Sequence, residues 1–587
     1  MPNLLSRPGG HAVMLALVGS LSLGACAQAD TVARVAQAGW SDDAMREPVE
    51  VRDTSTGAYL AGRFAQRVQR YRDAADFLRK VLAEEPENTE LARQAFMMLT
   101  LEGEFAEAAA IARKLVAGGD KSAISRYVIY LEEMKAGNWQ PAADQLADIP
   151  DRSLHRFVGP FMAAWAQAGL GNTDDALAAL DPLSSDANFK STYAFHAAMI
   201  ADIAGDSEVA SEHYAEAVAL PGGLTLRVVQ LYGNFLERNG RRAEAEDLYT
   251  RMIGEHGGNA MLAPVEIRLE ASDMPAPILT GANDGLAEGL FSVGSSLRQQ
   301  GSQDFGLIFG RMAIALKPEF VMARLLVADV LERQDRLAEA NAVYEGVPAD
   351  SPFRWSADLN RAQNLASLDR IDASVAEFER MAQANPADPE PLIALGNVLR
   401  GAERFSEAAE VLDRAVERLG EPRTDHWRVY YSRGIAFERS KQWDRAEKDF
   451  LKALDLEPEQ PYVLNYLGYS WVDQGIHLER ATEMIQQAVK LRPNDGAIVD
   501  SLGWALYRVG DFDGAVKQLE RAVELMPHDP TINDHLGDAY WQVGRRHEAR
   551  FQWQRALSLE PESDLVEIIE GKLKEGLKAG DKTGKDG

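Results

Sequence analysis

Apolar residues along most of the chain recur at helical spacing, and the helical blocks themselves recur every 34 residues. Gly503, Ala515, Ala522 and Pro527 return as Gly537, Ala549, Ala556 and Pro561. One unit earlier stand Gly468, Ala481, Ala488 and Pro493, with one residue inserted around Ile476. Gly434, Ala446, Ala453 and Pro458 precede them. Large residues such as Leu467, Trp471 and Ile485 fall between these markers on one helical face. The pattern predicts two helices per unit. Small residues sit where the two helices cross, so that the backbones approach, and large ones fill the space to the next unit. Proline cannot continue a helix and closes each second one. One such unit cannot bury its own apolar face, so neighbours must stack.

A period of 34 with this Gly…Ala…Ala…Pro skeleton resembles the tetratricopeptide repeat (TPR). The resemblance implies an all-α fold, a TPR α-solenoid in which helix-turn-helix units stack into a right-handed superhelix. Weaker copies run upstream. Gly62, Tyr71, Ala74 and Pro86 mark the first, and Ala108, Ala142, Ala176, Ala210 and Ala245 follow at a similar interval. Later units end near Pro318, Val347, Pro386 and Leu419. Roughly fourteen units result, six before a break and eight after it. The break covers 260–286, where Pro264, Pro275, Pro277, Gly281 and Gly285 interrupt the period. It is expected to join an N-terminal array, 55–259, to a C-terminal array, 287–561. The alternative is a decayed repeat that still stacks. In the remaining 562–587, a last helix over 565–577 is expected to cap the array, followed by a polar, disordered tail.

The N-terminus is patterned differently. Arg7 precedes an apolar run over 12–23, which has signal-peptide length and falls short of the ~20 apolar residues of a membrane span. The run ends Leu23-Gly24-Ala25-Cys26, which resembles the lipobox of bacterial lipoproteins. That resemblance implies a signal peptide over 1–25, cleavage before Cys26, fatty acylation of its thiol and amino group, and a tether over 26–54. The alternative is a cysteine at an ordinary cleavage site. Ala27 follows it, which by the same resemblance favours the outer membrane, with the protein facing the periplasm. Cys26 is the only cysteine, so no internal disulfide, cysteine-based metal site or cysteine nucleophile exists.

A chain of 587 residues exceeds what one core supports. The net charge of −28 makes nucleic acid and anionic membrane surfaces poor general partners. No phosphate-cradling glycine loop, His-Glu-x-x-His or Gly-x-Ser-x-Gly occurs. Asp511-Phe512-Asp513-Gly514 echoes a calcium loop, but its glycine comes too early, and the stretch reads as a turn between helices. The histidines are scattered without metal-ligand spacing. The expectation is a protein that is not an enzyme, with no cofactor, no metal, no small-molecule substrate and no nucleic acid, whose partners are proteins.

The first helices of stacked TPR units line a concave face. In the best-registered units the inward residues are Tyr431 and Glu438, then Asn465, Tyr469 and Asp473. Asp500, Trp504, Tyr507 and Arg508 follow, then Asp534, Asp538 and Trp541. Aromatics beside rigid polar groups suit a peptide-binding groove. The alternative is that some of the aromatics pack between units, as Trp471 and Trp553 do. Asn465, Asp500 and Asp534 stand where a carboxylate clamp would need Lys or Arg, so a basic or neutral extended segment fits the charge better. A lipobox before a long solenoid, with Asn465-Tyr466-Leu467-Gly468-Tyr469-Ser470 and Asp500-Ser501-Leu502-Gly503-Trp504, resembles the outer-membrane lipoproteins that act as adaptors of a carboxyl-terminal processing protease, the LbcA and NlpI type. The resemblance implies a scaffold that brings a periplasmic protease to cell-wall hydrolase substrates. A second expectation is an assembly factor for outer-membrane protein insertion or polysaccharide export.

Overall fold

The computed structural model describes residues 54–150, 154–185, 189–256 and 274–577. Cys26, the segments expected to form the signal peptide and nearly all of the tether, the expected joint before 274 and the tail from 578 lie outside the described residues. Within them the chain forms twenty-nine α-helices and one short 3-10 turn, Thr424–His426, and no strand.

The first compact unit holds two helical hairpins, α1 (Ser55–Arg67) with α2 (Tyr71–Glu84) and α3 (Thr89–Glu102) with α4 (Phe105–Ala117). The second unit begins after Gly118. It opens with α5 (Ala123–Lys135), the short α6 (Trp139–Asp144), α7 (His155–Leu170), α8 (Thr173–Ser184), α9 (Lys190–Ala204), α10 (Ser207–Ala219), α11 (Leu226–Arg238) and α12 (Arg242–His256). Then come α13 (Ala282–Gln299), α14 (Gln303–Leu316), α15 (Val321–Arg333), α16 (Leu337–Glu345), α17 (Arg354–Ser367), α18 (Ile371–Ala384), α19 (Glu390–Gly401) and α20 (Phe405–Leu419). The last are α21 (Trp427–Arg439), α22 (Trp443–Leu456), α23 (Pro461–Gln474), α24 (Leu478–Leu491), α25 (Gly496–Val509), α26 (Phe512–Leu525), α27 (Pro530–Gln542), α28 (Arg546–Ser558) and α29 (Ser563–Glu575).

The repeat skeleton does its expected mechanical work. A methyl group on Gly434, Gly468, Gly503 or Gly537 would press into Phe450, Ile485, Leu519 or Trp553 of the second helix of the same hairpin. Ala446, Ala481, Ala515 and Ala549 are fully buried at these crossings. Trp471 and Trp553 are buried, Trp471 donating to Glu447 of the preceding hairpin and Trp553 to Asp538 of its own. The inserted residue near Ile476 is absorbed in the turn between α23 and α24, where both Gly475 and His477 adopt the left-handed conformation. Asp511 is the N-cap of α26, its carboxylate accepting from Gly514 N at 3.0 Å, as the turn reading anticipates.

The break in the period has a consequence that the pattern does not show. Helical structure resumes at Ala282, inside the irregular stretch, and α13 lies back along α7 and α9, while α14 reaches α5. Gly285 makes this possible: any side chain there would overlap the Trp165 indole on α7. Gly289 similarly faces Phe161 and His196. Glycine in a helix interior costs about 1 kcal/mol against alanine, so α13 gives up helix propensity for close approach. Trp165 Nε1–H donates to His196 Nδ1 at 3.1 Å, and burial pushes His196 down to about 3, keeping it neutral. On α11, Arg227 Nε donates to both carboxylate oxygens of Glu288, at 2.9 and 3.0 Å, and a second nitrogen of the same guanidinium also contacts it. Glu288 is wholly buried, and the Arg227 guanidinium also lies over the Phe320 ring. Asn283 Nδ2 donates to the carbonyl of Met134 on α5. The inner face of the hairpins α5 to α12 is thus occupied by the chain's own helix.

A buried ion pair broken on one side leaves an uncompensated charge, worth about 3–5 kcal/mol. Glu288→Ala is expected to cost that much in urea unfolding, and the double change Arg227→Met with Glu288→Met less than either single change. Single variants within about 1 kcal/mol of wild type would show that the pair does not hold α13.

Candidate binding surface on the C-terminal repeats

Helices α23, α25 and α27 start at defined points. The side chains of Gln460, Asp495 and Asp529 accept from the backbone nitrogens of Tyr462, Ile498 and Ile532, and Pro461 and Pro530 occupy first-turn positions where no donor is missed. These caps hold the register that brings residues 465, 469 and 473, then 500, 504 and 508, then 534, 538 and 541 to one side of the array.

The structure divides the sequence-predicted residues into three groups. Tyr431 and Tyr507 are packing residues. Tyr431 meets Tyr466, Phe450 and Trp427 at ring distances of 5.9, 6.1 and 6.2 Å, and burial pushes its hydroxyl up to about 12. Tyr507 stacks on Trp504 at 4.8 Å, its oxygen accepts from Gln542 Nε2 at 3.1 Å, and burial pushes it up to about 12 as well.

Asp500, Asp534, Asp538 and Trp541 form the second group, and neighbours cover them. Asp500 is buried against His535 Nδ1, 3.0 Å from one oxygen and 3.1 Å from the other, and the His535 ring stacks on Trp504 at 4.2 Å. Burial opposes a charge on His535, but Asp500, Asp534 and Asp538 outweigh it and hold its proton affinity above the ordinary value. Lys572, from α29, places Nζ 2.6 Å from Asp534 Oδ2 and 2.8 Å from Asp538 Oδ2. Asp538 Oδ1 also accepts from Trp553 Nε1–H at 2.9 Å. Burial pushes Asp538 up to about 6, with Lys572 opposing and Asp534 adding to the shift. Burial likewise opposes a charge on Lys572, but the two carboxylates win and keep it protonated. Trp541 faces Trp553 at 5.3 Å, and a methyl on Gly576 would overlap it. These residues are therefore contacts between layers and beneath the terminal helix, rather than open groove positions.

Asn465, Tyr469, Trp504 and Arg508 make up the third group. They are half-buried, with Asp473 exposed beside them. Burial raises the Tyr469 hydroxyl, and Asp500 and Asp473 reinforce it. Arg508 donates through one nitrogen to the Asp473 carbonyl at 3.3 Å. Its other terminal nitrogen and Asn465 Oδ1 are buried without hydrogen-bond partners among the described residues. Both atoms are enclosed, and Tyr507 and His535 stack on the Trp504 ring, so a peptide backbone could reach this donor and acceptor only by displacing a neighbour. His535 and Lys572 did not stand out in the sequence, yet the period locates them. His535 lies one residue past the position equivalent to Asp500, and Lys572 lies 34 residues after Asp538. Among the described residues, no group of three His, Cys, Asp or Glu is placed to hold a metal ion.

Parts of the chain are similar to known proteins. The tetratricopeptide repeat family description matches residues 359–423, 393–461 and 431–496, and a TPR repeat description matches 503–544. The TPR repeat-containing protein PA4667 of Pseudomonas aeruginosa is 28% identical over 179 residues, which is 30% of this chain and 30% of that protein. Human tetratricopeptide repeat protein 13 is 25% identical over 200 residues, 33% of this chain and 23% of that protein. The matches therefore span less than a third of either curated relative. Among solved structures, the Cut9-Hcn1 hetero-tetramer of the APC/C aligns over 90% of this chain and 97% of its own, at 15% identity and a TM-score of 0.36. YrrB, described as a TPR protein with an unusual peptide-binding site, aligns over 33% of this chain and 97% of its own, at 23% identity and a TM-score of 0.27. The class follows from the repeats. The chain folds as a TPR α-solenoid, and none of the matches indicates a catalytic family.

Both shifted groups make the C-terminal end pH-sensitive in the same direction. His535 has a raised affinity in the fold, so its pair with Asp500 stabilises fully below the ordinary value of 6.5, and the stabilisation is lost as pH rises through the raised value. Asp538, raised from 3.8 to about 6, favours the fold while protonated, and that contribution is lost as pH climbs between those values. The melting temperature is expected to fall between pH 6 and 8.5 in wild type, and to fall less in His535→Gln. An identical slope in the two proteins would contradict the assignment. Lys572→Met leaves two buried carboxylates unpaired and should cost about 3–5 kcal/mol.

Proposed function

We propose that this protein is a lipid-anchored scaffold on the periplasmic side of the outer membrane, which binds a carboxyl-terminal processing protease and its cell-wall hydrolase substrates together. The observation that carries the binding reading is the half-buried cluster of Asn465, Tyr469, Trp504 and Arg508, in which a buried acceptor and a buried donor have no partner among the described residues. The inner face of the earlier hairpins is filled by α13, which leaves the C-terminal repeats to do the recognising. The patch suits an extended neutral or basic segment: Asn465 and Arg508 pair with peptide groups, the rings take apolar side chains, and Asp473 attracts a cation. Co-binding raises the effective concentration of protease and substrate without any chemistry by the scaffold. Acylation at Cys26 confines that effect to the membrane plane. One chain anchors marginally, whereas several, at about 0.8 kcal/mol per buried methylene, anchor stably.

Tyr469→Ala with Trp504→Ala is expected to weaken capture of the crosslinked envelope partner at least tenfold while leaving the helical circular dichroism unchanged. Undiminished capture of protease and hydrolase would remove the patch from the mechanism, and recovery of a barrel protein instead would favour an assembly role. Cells fed an alkynyl fatty acid should label the wild-type protein and not Cys26→Ser, which should leave the membrane fraction. Equal labelling of the two would refute the anchor.

A further inference from the structure

Helix α1 buries one face and leaves the other bare. Ala58, Gly62 and Ala65 pack inward against α2, with Gly62 close to Phe77 and Leu78. Leu60, Phe64 and Val68 are 62, 65 and 45% exposed. They stand four residues apart, with Val68 the residue just past the last turn of α1, so they line up within an arc of about 80°. They are three of the most exposed large apolar side chains in the described structure, and they sit together. Scattered exposed apolar residues need no explanation, but an aligned row on a helix does.

The charge beside the row selects its partner. Over 55–70 the chain carries Arg63, Arg67 and Arg70 and no Asp or Glu, in a protein with 90 acidic and 62 basic residues. Arg63 and Arg67 are exposed along one edge of the stripe, while Arg70 pairs with Asp73 at 2.5 Å. A second copy of this helix is a poor cover in antiparallel pairing, because the two arginine edges of like sign then lie side by side. A protein partner is not selected by anything beside the stripe. An apolar row edged by arginines is the pattern of a helix lying in the headgroup layer of an anionic bilayer. The net charge of −28 argues against the membrane as a general partner, but it is screened beyond roughly 8 Å at physiological salt, so the local cations govern this contact.

We propose that α1 is a membrane-contact helix, laying Leu60, Phe64 and Val68 into the surface of an anionic phospholipid layer with Arg63 and Arg67 on the phosphates. The site presumes the anchored location given under Proposed function. Twenty-eight residues separate Cys26 from Ser55. The contact would fix how the scaffold meets the membrane, which a lipid on Cys26 alone does not.

The test uses the mature chain from residue 26 onward carrying Cys26→Ser, so that no acyl chain contributes. It is mixed with sucrose-loaded vesicles of phosphatidylglycerol and phosphatidylethanolamine, or of phosphatidylcholine alone, and sedimented. Pelleting with the anionic vesicles is expected to exceed that with the neutral ones at least tenfold. Leu60→Ser with Phe64→Ser and Val68→Ser should reduce it at least tenfold at unchanged circular dichroism, since the three side chains are exposed. Arg63→Glu with Arg67→Glu should abolish the preference for phosphatidylglycerol. No pelleting with either vesicle, or equal pelleting of the triple variant, overturns the proposal. So does a dimer in analytical ultracentrifugation that the triple variant dissolves. Because this protein lacks the anchor, a failure here leaves the fatty-acid labelling result standing, and the reverse also holds.

Discussion

The crossing of α13 over α7 is the contact on which the larger compact unit depends. A solenoid unit normally hands its exposed face to the next unit in line. Here the helix after the break turns back instead, and its terms of entry are strict. Gly285 must lack a side chain so that Trp165 can lie on the helix backbone, and Glu288 must enter the interior already matched to Arg227. Burying a carboxylate is costly, and its guanidinium partner offsets that cost only with good geometry. The pair therefore acts more as a condition on register than as a source of stability: a slide of α13 by one turn would strand both charges.

That choice shapes the rest of the unit. Once α13 and α14 fill the inner face of the hairpins from α5 to α12, the aromatic and polar groups there serve as core, as the buried and neutral His196 illustrates. The later hairpins keep the regular stack and end beneath α29. Lys572 closes the last layer by neutralising Asp534 and Asp538, and His535 performs the same service for Asp500 one layer earlier. Between these sealed layers and the Tyr431 cluster lies the short stretch where Asn465, Tyr469, Trp504 and Arg508 are only half-buried.

The solenoid was legible in the sequence because repetition multiplies a weak signal: each Gly…Ala…Ala…Pro unit supports the next. The layer contacts at the C-terminal end were partly legible. The 34-residue offset places Lys572 opposite Asp538, yet reading the acidic positions one helix at a time gives them to an open groove. The docking of α13 was not legible, since it joins residues 61 apart, Arg227 and Glu288, and 120 apart, Trp165 and Gly285, with no period linking them. Gly285 reads from sequence as part of an irregular joint, and a helix with Gly285, Gly289 and Gly294 has poor propensity by itself. Tertiary packing overrode the local preference. Periodicity also cannot separate a ring that packs from one that is exposed, so Tyr431 and Tyr507 were grouped with Tyr469 and Trp504.

Hydrogen–deuterium exchange on the intact protein tests the central claim most directly. If α13 is a core element of the early hairpins, its amides over residues 284–296 should exchange as slowly as those of α7, and Gly285→Val should release both helices together. Fast exchange in α13 with α7 still protected would mean that the inner face is open, and that the C-terminal patch is not the only surface available to partners.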